Sequence, residues 1–262
     1  MTVCLNGKIS LRKNMRNVIF VPVGIPIETH PAYDAENHWR LVKPHRNYEV
    51  VAYTYNDFQP EPGTYDILIR DKGFKWDLAK HFLDTFDYRD YNYIGFWDDD
   101  LVTDIQSVNR ALEIAEKQNM KLFQLSTIEG SASSHRVLHQ NKDWSWSKTN
   151  FIEGMAPWFH SSMIPTLLEF WKYHHVYSGW GFDMIFSTIL KEKAGVIHEV
   201  SMYHPDRESN YDKTAAFNEM NTILNDVFPK FMADKYGEYA DMNIDWSGAQ
   251  GHEKEYEFSM KV

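Results

Sequence analysis

Short apolar runs alternate with helix-patterned segments through the first half of the chain, and this alternation restricts the fold more than any other feature. Asn17 to Val23 (NVIFVPV) is apolar after its first residue and runs into a Gly-Ile-Pro turn, which reads as a buried first strand. Tyr48 to Tyr55 (YEVVAYTY), Tyr65 to Ile69 (YDILI), Tyr91 to Trp97 (YNYIGFW) and Lys121 to Leu125 (KLFQL) read as further strands. Between them, Lys75 to Phe86 carries apolar residues at helical spacing, and Asp104 to Gln118 is a helix capped by Thr103 or Asp104. Buried-looking strands separated by helices predict an α/β fold with a mostly parallel central sheet flanked by helices. In such a sheet, ligands bind beyond the carboxyl ends of the strands.

The second half is less regular. Ser126 to Phe151 is polar and holds Trp144 and Trp146, so it reads as loops with room for a hairpin. Ser161 to Tyr173 and Phe182 to Glu192 read as helices, Ala194 to Met202 contains a strand, and Thr214 to Tyr236 is largely helical. The final 20 or so residues look like an irregular tail. A chain of 262 residues with no internal repeat and no low-complexity linker suits one domain with a full core.

Composition narrows the partners. A formal net charge of −10 gives no general attraction to nucleic acid or to an anionic membrane. Two local basic clusters stand against that total: Arg12, Lys13 and Arg16, and Lys43, His45 and Arg46. The single cysteine, Cys4, excludes an intrachain disulfide and a Cys-based zinc site. The opening MTVCLNGKISLRKNMRN lacks the apolar core of a signal peptide, and no run approaches the roughly 18–20 apolar residues of a membrane span. The expectation is a soluble, cytoplasmic protein. Aromatics reach 15%, which suits a ring-rich core and equally a site that stacks on sugars or bases.

Three segments carry candidate chemistry. In YIGFWDDDL (93–101) an apolar strand delivers Asp98, Asp99 and Asp100 to one exposed edge. Close carboxylates repel unless something holds them, and a hard cation such as Mg²⁺ or Mn²⁺ does so while leaving room for diphosphate oxygens. The plainer alternative is a solvated acidic turn that caps the next helix. In SGWGFD (178–183) two glycines flank Trp180 in a tight loop, and Asp183 arrives at a helix start as either a cap or a general base. In YHPD (203–206), His204 follows an apolar strand, where it is either structural or a ligand converging with the aspartates. His135 and His139 have zinc-like spacing, but their segment lacks a helical pattern and the HExxH glutamate.

The segments NVIFVPVGI, KWDLAKHFL, YNYIGFWDDDL, NFIEGMAPWF, SGWGFD and VIHEVSMYH follow one another across roughly residues 17–205. In that order they resemble an uncharacterised family of bacterial and plant proteins. Its plant members are labelled "lysine ketoglutarate reductase trans-splicing related", and the family is similar to GT-A glycosyltransferases. The resemblance implies a GT-A (Rossmann-like) single domain over residues 1–262. Its donor half would run over about 17–125, its acceptor half over about 126–210, and a C-terminal helical tail over 211–262. It further implies that Asp98 and Asp100 form a DxD metal and diphosphate motif and that His204 is the third metal ligand. Asp183 stands in the place of the acid in a Gly-Trp-Gly loop. Asp99 stands where the family often carries Glu.

The activity so implied is metal-dependent glycosyl transfer from a nucleoside diphosphate sugar to a hydroxyl acceptor, with Mn²⁺ or Mg²⁺ as cofactor. Asp183 as base implies inversion at the anomeric carbon; Asp183 as a mere cap leaves retention open. Asp57, Lys75, Asp98 and Asp99 are assigned to the donor. Asp57 would meet the base or ribose, and Lys75, with Lys72, the diphosphate, unless these lysines are simply solvated. Trp180 and His135 are assigned to the acceptor, which is a glycan, a small molecule, or a hydroxymethylated DNA base of the kind phage enzymes glycosylate. The rivals are a non-catalytic sugar-nucleotide-binding protein and a metal-dependent phosphohydrolase using the same acids.

Overall fold

A computed structural model describes residues 17–26, 34, 36–133, 135–206 and 212–237. The first half forms β1 (Asn17–Val23), β2 (Glu49–Thr54), β3 (Ile67–Arg70), α1 (Lys75–Thr85), β4 (Tyr93–Phe96), α2 (Ile105–Lys117) and β5 (Leu122–Thr127). The second half adds β6 (Trp146–Thr149), β7 (Trp158–His160), α3 (Ile164–Phe170), α4 (Phe186–Leu190), β8 (Ala194–Met202), α5 (Lys213–Thr222) and α6 (Phe228–Tyr236). One eight-stranded sheet runs in the order β3-β2-β1-β4-β7-β5-β8-β6. The pairs β3/β2, β2/β1, β1/β4 and β5/β8 are parallel, while β7 is antiparallel to both β4 and β5, and β6 to β8.

The continuous apolar runs have a direct cause: both faces of the sheet are covered. Val18, Phe20, Val51 and Tyr53 enter one core with α1, α3 and α6, including Phe82, Leu167 and Phe231. Their alternates Ile19, Val21, Val50 and Ala52 enter a second core with Val108, Ala111 and Leu112 of α2. Pro22 is tolerated because the β4 register stops at Phe20, so its missing N–H falls beyond that pairing. Gly95 in β4 has a packing reason, since a Cβ there would lie 3.1 Å from the Trp158 ring and from Trp97 Nε1.

Several expectations are corrected here. Among the described residues of 126–151 there is no hairpin; β6 pairs with β8 instead, from Trp146↔Ile197 to Thr149↔Ala194. β7 was not anticipated, because three residues after Pro157 carry too little period to read. The segment expected as one helix over 182–192 is a 3₁₀ turn, Asp183–Ile185, followed by the five-residue α4, which stops where Lys191 turns left-handed. The helical span near 214–236 is split by a π-helical turn, Ile223–Val227. Pro229, in the first turn of α6, brings no N–H to this junction.

Ile94 and Phe96 are wholly buried at the centre of the sheet. Truncating either to Ala lowers stability by about 2–5 kcal/mol. Chemical denaturation checks this; an unchanged midpoint at both positions contradicts the role of β4 as the core strand that aims the acidic turn.

Candidate active site

β4 ends at Phe96, and the chain turns at once through Asp98, Asp99 and Asp100, which point in three different directions. Asp99 turns inward: its Oδ2 accepts N–H bonds from Gly24 (2.8 Å) and Ile25 (3.3 Å), fixing the end of β1. Burial raises its pKa to about 6, opposed by the Gly24 N–H and reinforced by Asp100. Asp98 Oδ1 accepts from Lys75 Nζ at 2.7 Å, and Asp98 N–H donates to Met155 O at 2.8 Å. Asp100 faces His204, with 3.6 Å from Oδ1 to Nε2.

An antiparallel bridge between Val102 and Tyr203 joins the acidic segment to the end of β8, with both N–H···O distances 2.9 Å. That bridge carries His204 to the aspartates. One ligand atom each from Asp98, Asp100 and His204 lies within 4.8 Å of the others, the only such group among the described residues. His204 Nδ1 is 2.7 Å from the carbonyl oxygen of Ala132. A carbonyl only accepts, so Nδ1 carries the proton and Nε2 presents its lone pair to the cluster. Two carboxylate oxygens and one imidazole nitrogen suit Mg²⁺ or Mn²⁺, so the residues present fit a divalent cation. His135 and His139 do not make a second site: they flank a 3₁₀ turn, Arg136–Leu138, and His135 packs edge-on to Phe151 at 4.3 Å.

Lys75 is not a solvated lysine. Its side chain is only 14% exposed, and its ammonium donates to Asp98 Oδ1, to Gly154 O (2.6 Å) and to Met155 O (3.1 Å). Burial lowers its pKa, opposed by the charge of Asp98. With its three protons directed at three acceptors, it is a tether between the acidic turn and the 154–155 segment.

A cavity of about 900 Å³ opens beside this cluster, within the range of small-molecule sites. Asp98, Lys75, His204, Asp183, Trp180 and His135 all line it, whereas Asp57 and Lys72 are exposed and lie outside it. Asp183 begins the 3₁₀ turn, and its Oδ2 accepts the Gly154 N–H at 3.1 Å. Burial pushes its pKa up to about 7; the Gly154 N–H opposes the rise and the charge of Glu153 adds to it. Gly154 therefore holds Lys75 through its oxygen and Asp183 through its nitrogen.

The two glycines of the Gly-Trp-Gly loop are required by neighbours within the protein. Gly179 (φ +86°) lies where a Cβ would sit 2.1 Å from Trp76 Nε1, and Gly181 (φ +81°) where it would meet Met220 of α5 at 3.0 Å. The buried carboxylate of Glu219, also on α5, accepts from Tyr177 N–H, from Ser178 N–H (2.7 Å) and from the Ser178 hydroxyl (2.5 Å). The helix expected to be a tail thus shapes the loop.

Sequence reasoning gave no role to Glu153 or Glu219. Glu153 lines the cavity, with Oε2 accepting from Ser133 Oγ at 3.1 Å. Its signal was its place before Gly154 in NFIEGMAPWF; Glu219 had none. The basic cluster at 43–46 is not a surface patch throughout: Arg46 is 2% exposed, pairs with Asp66 and donates to the carbonyls of Arg40 and Leu41. Arg12, Lys13, Arg16, Cys4 and the stretch from 238 to 262 lie outside the described residues. No described helix is long and apolar enough to cross a membrane.

No protein-family model matches the chain, and no curated protein matches it. Among solved structures, S. aureus TarS 1–349 in complex with UDP-GlcNAc aligns with a TM-score of 0.52 at 8% identity, over 87% of this chain and 69% of that one. A197 from STIV aligns with a TM-score of 0.39 at 15% identity, over 74% and 87%. The likeness to TarS is one of fold: the chain is an α/β domain whose central, mostly parallel sheet is flanked by helices as in that protein.

Proposed function

We propose that the protein is a glycosyltransferase that moves a sugar from a nucleoside diphosphate sugar to a hydroxyl acceptor with the help of Mn²⁺ or Mg²⁺. The observation that carries this reading is that Asp98 and His204 of the three-ligand cation cluster, and the partly buried carboxylate of Asp183 with its raised pKa, all line one cavity. TarS, whose fold this chain shares, is crystallised with UDP-GlcNAc, which makes a uridine diphosphate sugar the first donor to test.

Asp98, Asp100 and His204 would hold the cation, and the bound cation would neutralise charge on the departing diphosphate. Lys75 keeps Asp98 in place through its 2.7 Å bond. Asp183 takes the proton of the acceptor hydroxyl; a carboxyl with pKa near 7 is matched to that task. Attack on the face opposite the leaving diphosphate then inverts the anomeric carbon. Trp180 walls the acceptor side, in a donor half at about 17–125 and an acceptor half at about 126–210.

A thermal-unfolding screen of sugar nucleotides with and without Mn²⁺ tests this. The true donor at 100 times its Kd adds about 2.7 kcal/mol in the presence of the metal. Transfer to an added acceptor, measured against release of free sugar, separates a transferase from a phosphohydrolase. If no sugar nucleotide stabilises the protein with Mn²⁺, the reading fails.

A further inference from the structure

Phe74 is a large apolar side chain left 40% exposed, and it belongs to neither of the two cores. It lies just before α1, and its ring meets Tyr177 with centroids 4.2 Å apart and planes at 66°. Both rings line the cavity that holds Asp98 and Asp183. The ring of Phe74 is not needed to start α1, because its backbone oxygen already accepts from Leu78 N–H at 3.0 Å. The backbone that carries Tyr177 is fixed, since its N–H and both donors of Ser178 are held by Glu219. A pre-positioned pair of rings facing an open cavity presents a rigid apolar platform with little entropy left to lose on binding.

The surroundings select the ligand. Trp180 and Met220 extend the apolar wall, and the exposed Lys213 and Asp206 also line the cavity, one charge of each sign. Lys213 is the only exposed Lys or Arg among the described residues lining the cavity. A nucleic-acid strand would bring phosphates that need several cations, in a molecule of net charge −10. A neutral sugar ring brings a C–H face for the aromatic platform and hydroxyls for its edges.

We propose that Phe74 and Tyr177 form an acceptor subsite that takes a neutral pyranose ring by stacking. The proposal rests on the transferase reading only in calling that sugar the acceptor. The probes are methyl gluco-, galacto- and mannopyranosides, with open-chain sorbitol and thymidine as controls, followed by saturation-transfer NMR and titration. At least one pyranoside should bind the parent protein while sorbitol does not. Phe74→Ala should weaken that binding about tenfold or more at an unchanged unfolding midpoint, and Phe74→Trp should restore it. Equal pyranoside binding by Phe74→Ala, no pyranoside binding at all, or a Phe74-dependent preference for thymidine each overturns the proposal. Donor titration of the parent protein with Mn²⁺ runs in parallel. Donor binding without ring binding removes the subsite alone, and Phe74-dependent ring binding without donor binding removes the transferase reading alone.

Discussion

Asp183→Asn lowers kcat for transfer by about 10²–10⁴ while the protein stays folded and still binds donor. The asparagine keeps an oxygen to accept the Gly154 N–H, so the 3.1 Å contact survives, but it cannot take the acceptor's proton. The pH behaviour follows from the same carboxyl. In the unfolded chain it ionises near 3.8; in the folded chain burial holds its proton until about 7. Between those values the folded state carries a proton that the unfolded state has released. The Asp183 contribution to stability therefore falls as pH rises from about 4 to about 7. The metal-free Asp183→Asn variant should lack this loss, gaining on the parent between about pH 4 and about pH 7 and keeping a constant advantage above that. Transfer by the parent should rise with pH through the ionisation of Asp183. Near-native turnover by the variant would remove the base role and reopen retention; parallel stability profiles would show that Asp183 is not an acid of raised pKa.

Asp100→Ala abolishes metal-dependent donor binding. It leaves Asp98 and His204 as two ligands of a cluster of three, with Asp98 already bonded to Lys75. The stabilisation of about 2.7 kcal/mol that a donor at 100 times its Kd gives with Mn²⁺ disappears. The unliganded midpoint stays near the parent's or rises, because Asp100 shares a crowded site with other carboxylates and one like charge is removed. Calorimetric titration of Mn²⁺ with and without donor reads this directly. Parent-like Mn²⁺-dependent affinity in the variant would falsify the cation assignment.

The fold and the cluster were legible to different depths. β1, β4 and α2 could be read because their patterns are local: long apolar runs, and an Asp104 cap whose carboxylate accepts the Ser107 N–H. Asp98, Asp100 and His204 stood out because acids and a histidine follow directly on apolar strands, and parallel strands deliver their carboxyl ends to one edge of a sheet. The direction of each carboxylate was not local. Asp99 faces inward because two N–H groups at the end of β1, 75 and 74 residues away, need an acceptor. Asp57 follows β2, which stands two strands from β4, and so falls outside the cavity. For Lys75 the sequence offered the donor diphosphate or plain solvation, and not the tether it forms, because its partners Gly154 and Met155 are 79 and 80 residues on. Glu219 lies in a helix of weak pattern, and only the docking of α5 reveals what its carboxylate holds.

The position of β7 has a consequence for how the chain assembles. β4 and β5 come from the first half of the sequence, yet they do not pair with each other; β7, from the second half, lies between them. During synthesis the sheet therefore waits, with the edges of β4 and β5 unsatisfied, until Trp158–His160 has emerged. The segment that closes this gap also carries Gly154 and Met155, so joining β4 to β5 brings in the peptide that fastens Lys75 and that Asp183, emerging later, accepts from. A polypeptide ending before β7 would lack the strand that joins the sheet's two sections and the peptide that sets its acids.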